Sequence, residues 1–132
     1  MSSFEIVPYD PAAHVAFVCD SFSQSLRQTW PYSLIRHGDA ARGCRQLLER
    51  GDVRAVVATI DGLQVAWAAA INGRLAFAFV KERFRKHGIA TALLARLGLD
   101  PRNVESLTWT FSAAKLNRDA RCWPAIAEEL AS

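Results

Sequence analysis

Val53-Arg-Ala-Val-Val-Ala-Thr-Ile60, Asp61-Gly62, Leu63-Gln-Val-Ala-Trp-Ala-Ala-Ala-Ile71, Asn72-Gly73 and Arg74-Leu-Ala-Phe-Ala-Phe-Val80 form the stretch that decides the fold. Three apolar runs are separated by two dipeptides that tolerate positive φ at both positions, as two-residue hairpin turns require. The pattern predicts a three-stranded antiparallel meander. The runs are apolar on both faces more than they alternate, so the sheet is expected to carry helices on both sides. The Ala-rich middle run has helix propensity, but the paired turns outweigh it.

On the N-terminal side, Phe4-Glu-Ile-Val-Pro-Tyr9 reads as a short first strand, which Pro8 confines to an edge or an end. Asp10-Pro11 resembles a helix start. Val15, Phe17, Val18, Phe22 and Leu26 continue it as an apolar stripe to about Arg27, and Trp30-Pro31-Tyr32 breaks it. A second helix is expected from a cap at Asp39 through Glu49, with Cys44, Leu47 and Leu48 inward and Gly51 closing it. On the C-terminal side, Gly88 to Leu97 reads as a helix ended by Gly98 and Pro101. Glu105 to Phe111 reads as a fifth strand, and Asn117 to Leu130 as a last helix interrupted near Pro124. The order is β-α-α-β-β-β-α-β-α: an α/β (α+β) chain with a mixed, mostly antiparallel sheet, in a single domain over 1–132.

Chemistry concentrates where the third run of the meander meets the next helix. Lys81, Arg83, Arg85, Lys86 and His87 fill the connecting loop, and Gly88 opens the helix. A helix N-terminus offers unpaired N–H groups and the positive end of the helix dipole. Gly88 has no side chain and Ala90 only a methyl, so a bulky anion can come close to the backbone. Flanking cations add attraction for phosphate. The plain alternative is a helix start beside a solvated basic loop.

Val80-Lys-Glu-Arg-Phe84-Arg85-Lys-His-Gly88-Ile-Ala90 resembles the acyl-CoA-binding motif of the GCN5-related N-acetyltransferases, the GNAT superfamily. In that family an apolar fourth strand precedes an aromatic residue and an Arg/Gln-x-x-Gly-x-Gly/Ala loop. Phe84 and Arg85-x-x-Gly88-x-Ala90 occupy those places, and the element order matches over nearly the whole chain. Asn117-x-x-Ala120 is a weaker second match. The resemblance implies a GNAT-like fold and an acyl-CoA-dependent N-acyltransferase, with acetyl-CoA as donor and an unidentified amine as acceptor. It implies that Phe79 and Val80 offer backbone hydrogen bonds to the pantetheine arm. Arg85, Lys86, His87, Gly88, Ile89, Ala90 and Thr91 would cradle the pyrophosphate, Lys86 or Lys81 would reach the 3′-phosphate, and Asn117 would contact the arm. The family's usual general acid is a Tyr four residues after the Asn-x-x-Ala alanine. Here that position is Pro124, and no Tyr follows Tyr32. The catalytic residues are therefore unassigned. Tyr32 and His37 are candidates by location alone, in the segment where GNAT proteins often shape the acceptor site.

A narrower resemblance joins Phe17-Val-Cys-Asp-Ser-Phe-Ser-Gln-Ser-Leu-Arg27 and the motif above to small GNAT-fold proteins encoded by tailed bacteriophages. It implies an alternative of another class: a non-catalytic structural or adaptor subunit of the phage particle, in the head-to-tail connector region. Its partners would be copies of itself and other phage structural proteins, and its location the virion.

Composition sets the remaining bounds. The chain has 132 residues, 51% apolar and 22% charged, so it can build a core. Its net charge of +3 is small for a nucleic-acid-binding surface, and a phosphate-bearing ligand already accounts for the one basic cluster. No apolar run is long enough to cross a bilayer, and the N-terminal residues lack the pattern of a secretion signal. The expectation is a cytoplasmic protein in which Cys19, Cys44 and Cys122 are reduced, buried thiols on helices. His14, His37 and His87 lack metal-ligand spacing, and no metal site is expected. No phosphate loop, dinucleotide fingerprint or nucleophile elbow is present, which sets aside nucleotide hydrolases, dinucleotide oxidoreductases and serine hydrolases.

Overall fold

The computed structural model describes residues 3–27 and 36–100. Their order is β1 (Glu5–Pro8), α1 (Pro11–Arg27), α2 (His37–Leu48), β2 (Val53–Ile60), β3 (Leu63–Ile71), β4 (Arg74–Val80) and α3 (Ile89–Arg96), with a short 3₁₀ turn at Glu82–Phe84 before α3. The expected fifth strand, the last helix, Tyr32 and Asn117 lie outside the described residues.

The four strands form one antiparallel sheet in the order β1-β2-β3-β4. Both turns have the expected geometry: Asp61 and Gly62 at φ 51° and 80°, Asn72 and Gly73 at 50° and 77°. Positive φ at both central positions matches the turn to the right-handed twist of the flanking strands. Among the described strands β1 lies at the edge, and Pro8 is its last residue, in keeping with the expected edge or end.

Two bulges interrupt the register. On β3, Ala58 faces Ala66 but Thr59 faces Gln64, so Val65 is the extra residue. On β4, Ala69 faces Phe77 but Ala70 faces Leu75, so Ala76 is extra. A bulge bends its strand and re-aims the side chains beyond it. The carbonyl of Val65 accepts the N–H of Lys81 at 2.9 Å and so fixes where the chain leaves β4.

Side chains alternate between the two faces, and both faces are buried. Val57, Trp67, Ala69, Ile71, Ala76 and Phe77 pack against Val18, Phe22, Ala40, Cys44 and Leu47 of α1 and α2. On the other face Ala58, Ala66, Ala68 and Ala70, with Val56, Ile60, Val65 and Leu75, pack against Ile89, Leu93 and Leu94 of α3 and Leu97 at its end. Small residues there let a short helix lie close to the sheet.

The helix ends are closed by local chemistry. Asp10 Oδ1 accepts the Ala12 N–H at 3.1 Å, and His14 Nδ1 accepts the Asp10 N–H at 3.0 Å. This starts α1 where Asp10-Pro11 predicts. The second helix differs from expectation: it begins at His37, with extended Arg36 before it and Asp39 already in its first turn. The Arg36 carbonyl accepts the Ala40 N–H at 3.0 Å, so the first turn closes without a side-chain cap. Asp39 instead receives Arg42 Nη1 at 3.2 Å. At the far end of α3, Gly98 N–H bonds to the Ala95 carbonyl at 3.0 Å and Leu99 N–H to the Leu94 carbonyl at 2.8 Å. Those paired bonds stop the helix and tuck Leu99 back into the core. No helix among the described residues is long and apolar enough to cross a membrane.

Candidate functional site

The junction of β4 with α3 encloses a cavity of about 370 Å³. Phe79, Val80, Phe84, Arg85, Lys86, Gly88, Ile89, Ala90 and Thr91 of the sequence motif line it together with Ala78, and His87 lies in the same loop without lining it. The loop turns sharply before the helix. Lys86 has φ 68° and Gly88 φ 82°, both left-handed, with His87 between them. Such a run points successive N–H groups into one concavity. A Cβ built on Gly88 would meet nothing within 4 Å among the described residues, so these leave the space over its backbone open.

The first intrahelical bond of α3 runs from Ala92 N–H to the Gly88 carbonyl at 3.1 Å. By helix geometry the N–H groups of Ile89, Ala90 and Thr91 have no intrahelical acceptor. Gly88 supplies no capping side chain. The mouth is cationic: Arg85 and Lys86 are exposed, with the exposed His87 beside them. Arg85 is also tethered, its Nε donating to the Val80 carbonyl at 2.9 Å. Arg83 stacks over the Phe84 ring at 5.5 Å, and Lys81 Nζ sits 5.5 Å from the centroid of Phe17.

The register assigns the backbone of β4. Lys81 N–H bonds to Val65 O while Val80 faces Ala66, which makes Val80–Ala66 a pair without mutual hydrogen bonds. The N–H and C=O of Val80, and by the same parity those of Ala78, therefore point away from β3. Those of Phe79 are turned toward Trp67 on β3. Of the two residues expected to present their backbone at this edge, Val80 does and Phe79 does not; Ala78 takes its place. The Phe79 ring lies on the other face, edge-on to Phe17 at 6.2 Å.

His37 is the first residue of α2 and lies elsewhere. Its Nδ1 is 2.7 Å from Ser23 Oγ, and its Nε2 is 3.4 Å from Asp20 Oδ1. The residue types are those of a serine hydrolase triad, but Ser23 is completely buried and offers its hydroxyl to no substrate. The three residues tie α1 to α2. No sequence signal joins them, because α1 and α2 meet only through packing.

A second cavity, of about 380 Å³, lies between those helices and is lined by Cys19, Asp20, Gly38, Arg42 and Arg45 among others. The Cys19 and Cys44 side chains are hydrogen-bonded to each other. Among the described residues no group of His, Cys, Asp and Glu is placed to hold a metal ion.

This fold is that of the GNAT acetyltransferases. A possible acetyltransferase from Clostridium difficile 630 superposes with a TM-score of 0.60 at 15% identity, over 72% of this chain and 68% of that one. An aminoglycoside 6′-N-acetyltransferase complexed with coenzyme A gives 0.54 at 25% identity, over 70% of this chain and 52% of that one. The acetyltransferase AAC(6′)-Iy, in complex with the bisubstrate analogue CoA-S-monomethyl-acetylneamine, gives 0.55 at 18% identity, over 98% of this chain and 90% of that one. No protein-family model and no curated protein matches the sequence.

Proposed function

We propose that the chain is an acyl-CoA-dependent N-acyltransferase, with acetyl-CoA as the donor and an amine as the acceptor. The observation that carries this reading is the open space above Gly88 at the head of α3, in a cavity with a cationic mouth.

The residues fit a CoA molecule in three places. The unbonded N–H groups at the start of α3 suit a diphosphate, which a helix N-terminus binds through both hydrogen bonds and dipole. Arg85 and Lys86 would neutralise its charge, and Lys86 or Lys81 would reach the 3′-phosphate. The outward backbone groups of Ala78 and the outward N–H of Val80 suit an extended amide-bearing arm, which adds to the sheet as a strand would, while the Val80 carbonyl holds Arg85. By resemblance, Asn117 meets the same arm.

CoA brings the activated thioester; the chain supplies position and polarity. An outward N–H of β4 near the thioester oxygen polarises the carbonyl. The amine nitrogen attacks the carbonyl carbon, the C–S bond breaks, and the sulfur leaves as thiolate. The amine gives up one proton and the thiolate takes one. With Pro124 where the family has its Tyr, solvent is the route for that proton. Holding both reactants in one cavity supplies the rest of the rate.

The same Pro124 favours a second reading, a GNAT-fold subunit without catalysis, such as a phage-particle adaptor. Calorimetry with acetyl-CoA and CoA separates the two. The unmodified protein is expected to bind both. Gly88→Trp, which fills the space the diphosphate needs, is expected to weaken binding at least about tenfold, or about 1.4 kcal/mol. Gly88→Ala adds only a methyl to open space and reports the cost of the left-handed backbone alone. No binding by the unmodified protein at about 1 mM ligand overturns the enzyme reading and leaves the scaffold.

A further inference from the structure

Cys19 and Cys44 stand apart from the cavity at β4 and α3, and the proposed acyl transfer uses neither. They come from different helices and meet in the core between α1 and α2. Cys44 is completely buried, whereas Cys19 retains 7% exposure and forms part of the wall of the 380 Å³ cavity. A small solute entering that cavity meets Cys19 and cannot meet Cys44. Arg42 and Arg45 line the same cavity, together with the small Gly38 and Ala41.

We propose that Cys19 is a hydroperoxide-reactive thiol and that Cys44 is its resolving partner, so that oxidation joins α1 to α2 through a Cys19–Cys44 disulfide.

The division of labour comes from the surroundings. The hydrogen bond from Cys44 favours the Cys19 thiolate, against the cost of burial. Arg45 adds to the same side, and Asp20 and Glu49 oppose it. Burial, together with the charge and hydrogen bond of Cys19, holds Cys44 as a neutral thiol. One thiol that faces a solvent-connected cavity and is helped to ionise, with a second thiol behind it, is the arrangement that peroxide chemistry needs.

The Cys19 thiolate attacks one oxygen of hydrogen peroxide. An S–O bond forms, the O–O bond breaks, and the departing hydroxide takes a proton to become water. Cys19 is then a sulfenic acid, oxidised by two electrons. The Cys44 sulfur attacks the Cys19 sulfur, the S–O bond breaks, and the hydroxide released takes the Cys44 proton. In sum, two thiols and one peroxide give one disulfide and two waters.

The test uses the full chain with Cys122→Ser, treated with hydrogen peroxide and read by intact mass and peptide mapping. The expected product has lost two hydrogens, carries a link between the peptides of Cys19 and Cys44, and returns to the starting mass with a phosphine reductant. In the same background, Cys44→Ala is expected to stop at one added oxygen on Cys19, captured by dimedone. Cys19→Ala is expected to lose all reaction. Folded protein that keeps both thiols under peroxide overturns the proposal, as does Cys44 oxidation in the Cys19→Ala protein at the unmodified rate. If circular dichroism shows that an alanine variant is unfolded, the otherwise unmodified chain decides. A Cys19–Cys44 link supports the proposal, and linkage through Cys122 alone overturns it.

Discussion

The two faces of the sheet differ in what they bury: one holds aromatic rings and the other aliphatic side chains and alanines. Under α1 and α2 the core is aromatic: Trp67 stacks on Phe77 at 5.2 Å, Phe22 lies 4.8 Å from Phe77, and Phe17 meets Phe79. The one polar atom of Trp67 is served by a buried relay, Nε1 donating to Ser21 Oγ at 2.7 Å and Ser21 donating to the Val18 carbonyl at 3.0 Å. Under α3 the buried sheet residues include no aromatic ring: Ala58, Ala66, Ala68 and Ala70 lie beside the aliphatic Val56, Ile60, Val65 and Leu75. Large interlocking rings fix one face in a single arrangement. The alanines of the other face instead form a floor that sets how near α3 lies, and with it the position of the α3 N-terminus beside β4. One face holds the fold together; the other sets the depth of the cavity.

The two faces are expected to respond differently to substitution. Trp67→Ala removes the largest fully buried side chain among the described residues and takes from Ser21 Oγ its donor, and is expected to cost about 3–5 kcal/mol. Urea denaturation reads this directly. A loss below about 1 kcal/mol would mean that the aromatic face is not the anchor. Ala68→Leu pushes on the other face, where Ala68 is completely buried. It is expected to cost about 1–3 kcal/mol by overpacking and to weaken CoA binding by lifting α3. Equal stability loss with unchanged CoA affinity would break the link between the alanine floor and the cavity.

The smallest effect concerns the border of the aromatic face. Burial raises the Tyr9 phenol from 10.0 to about 12. Its folded value is higher than its unfolded value, so its contribution to stability is fully present below pH 10.0 and is lost as pH rises toward about 12. In Tyr32→Phe protein, ultraviolet absorbance is expected to show no phenolate until unfolding begins. A native titration near the ordinary tyrosine value would place Tyr9 in water.

The residues that announce themselves in the sequence carry their conformation locally. Asp61-Gly62 and Asn72-Gly73 each contain a whole turn, so the meander and its register at both hairpins are readable from two dipeptides. Arg85-x-x-Gly88-x-Ala90 is readable for the same reason: a bare helix start needs few residues to specify it. The bulges at Val65 and Ala76 are silent, because each sits in an unbroken apolar run where a one-residue slip changes no polarity. Lys86 at positive φ is equally silent, since Lys seldom adopts it. The backbone exchange between Phe79 and Ala78 depends on the bulged register and could not be read without it. Cys19 with Cys44, and Ser23 with His37, meet only when α1 packs on α2, so spacing along the chain carries no trace of them.

β1 has a consequence for the behaviour of the protein in concentrated solution. It is four residues long, with Glu5 at one end and Pro8, which has no N–H to donate, at the other. Such a margin offers a stray strand from another molecule little to zip onto. The modest first strand thus acts as a hem, finishing the side of the fabric where unravelled copies would otherwise be stitched together.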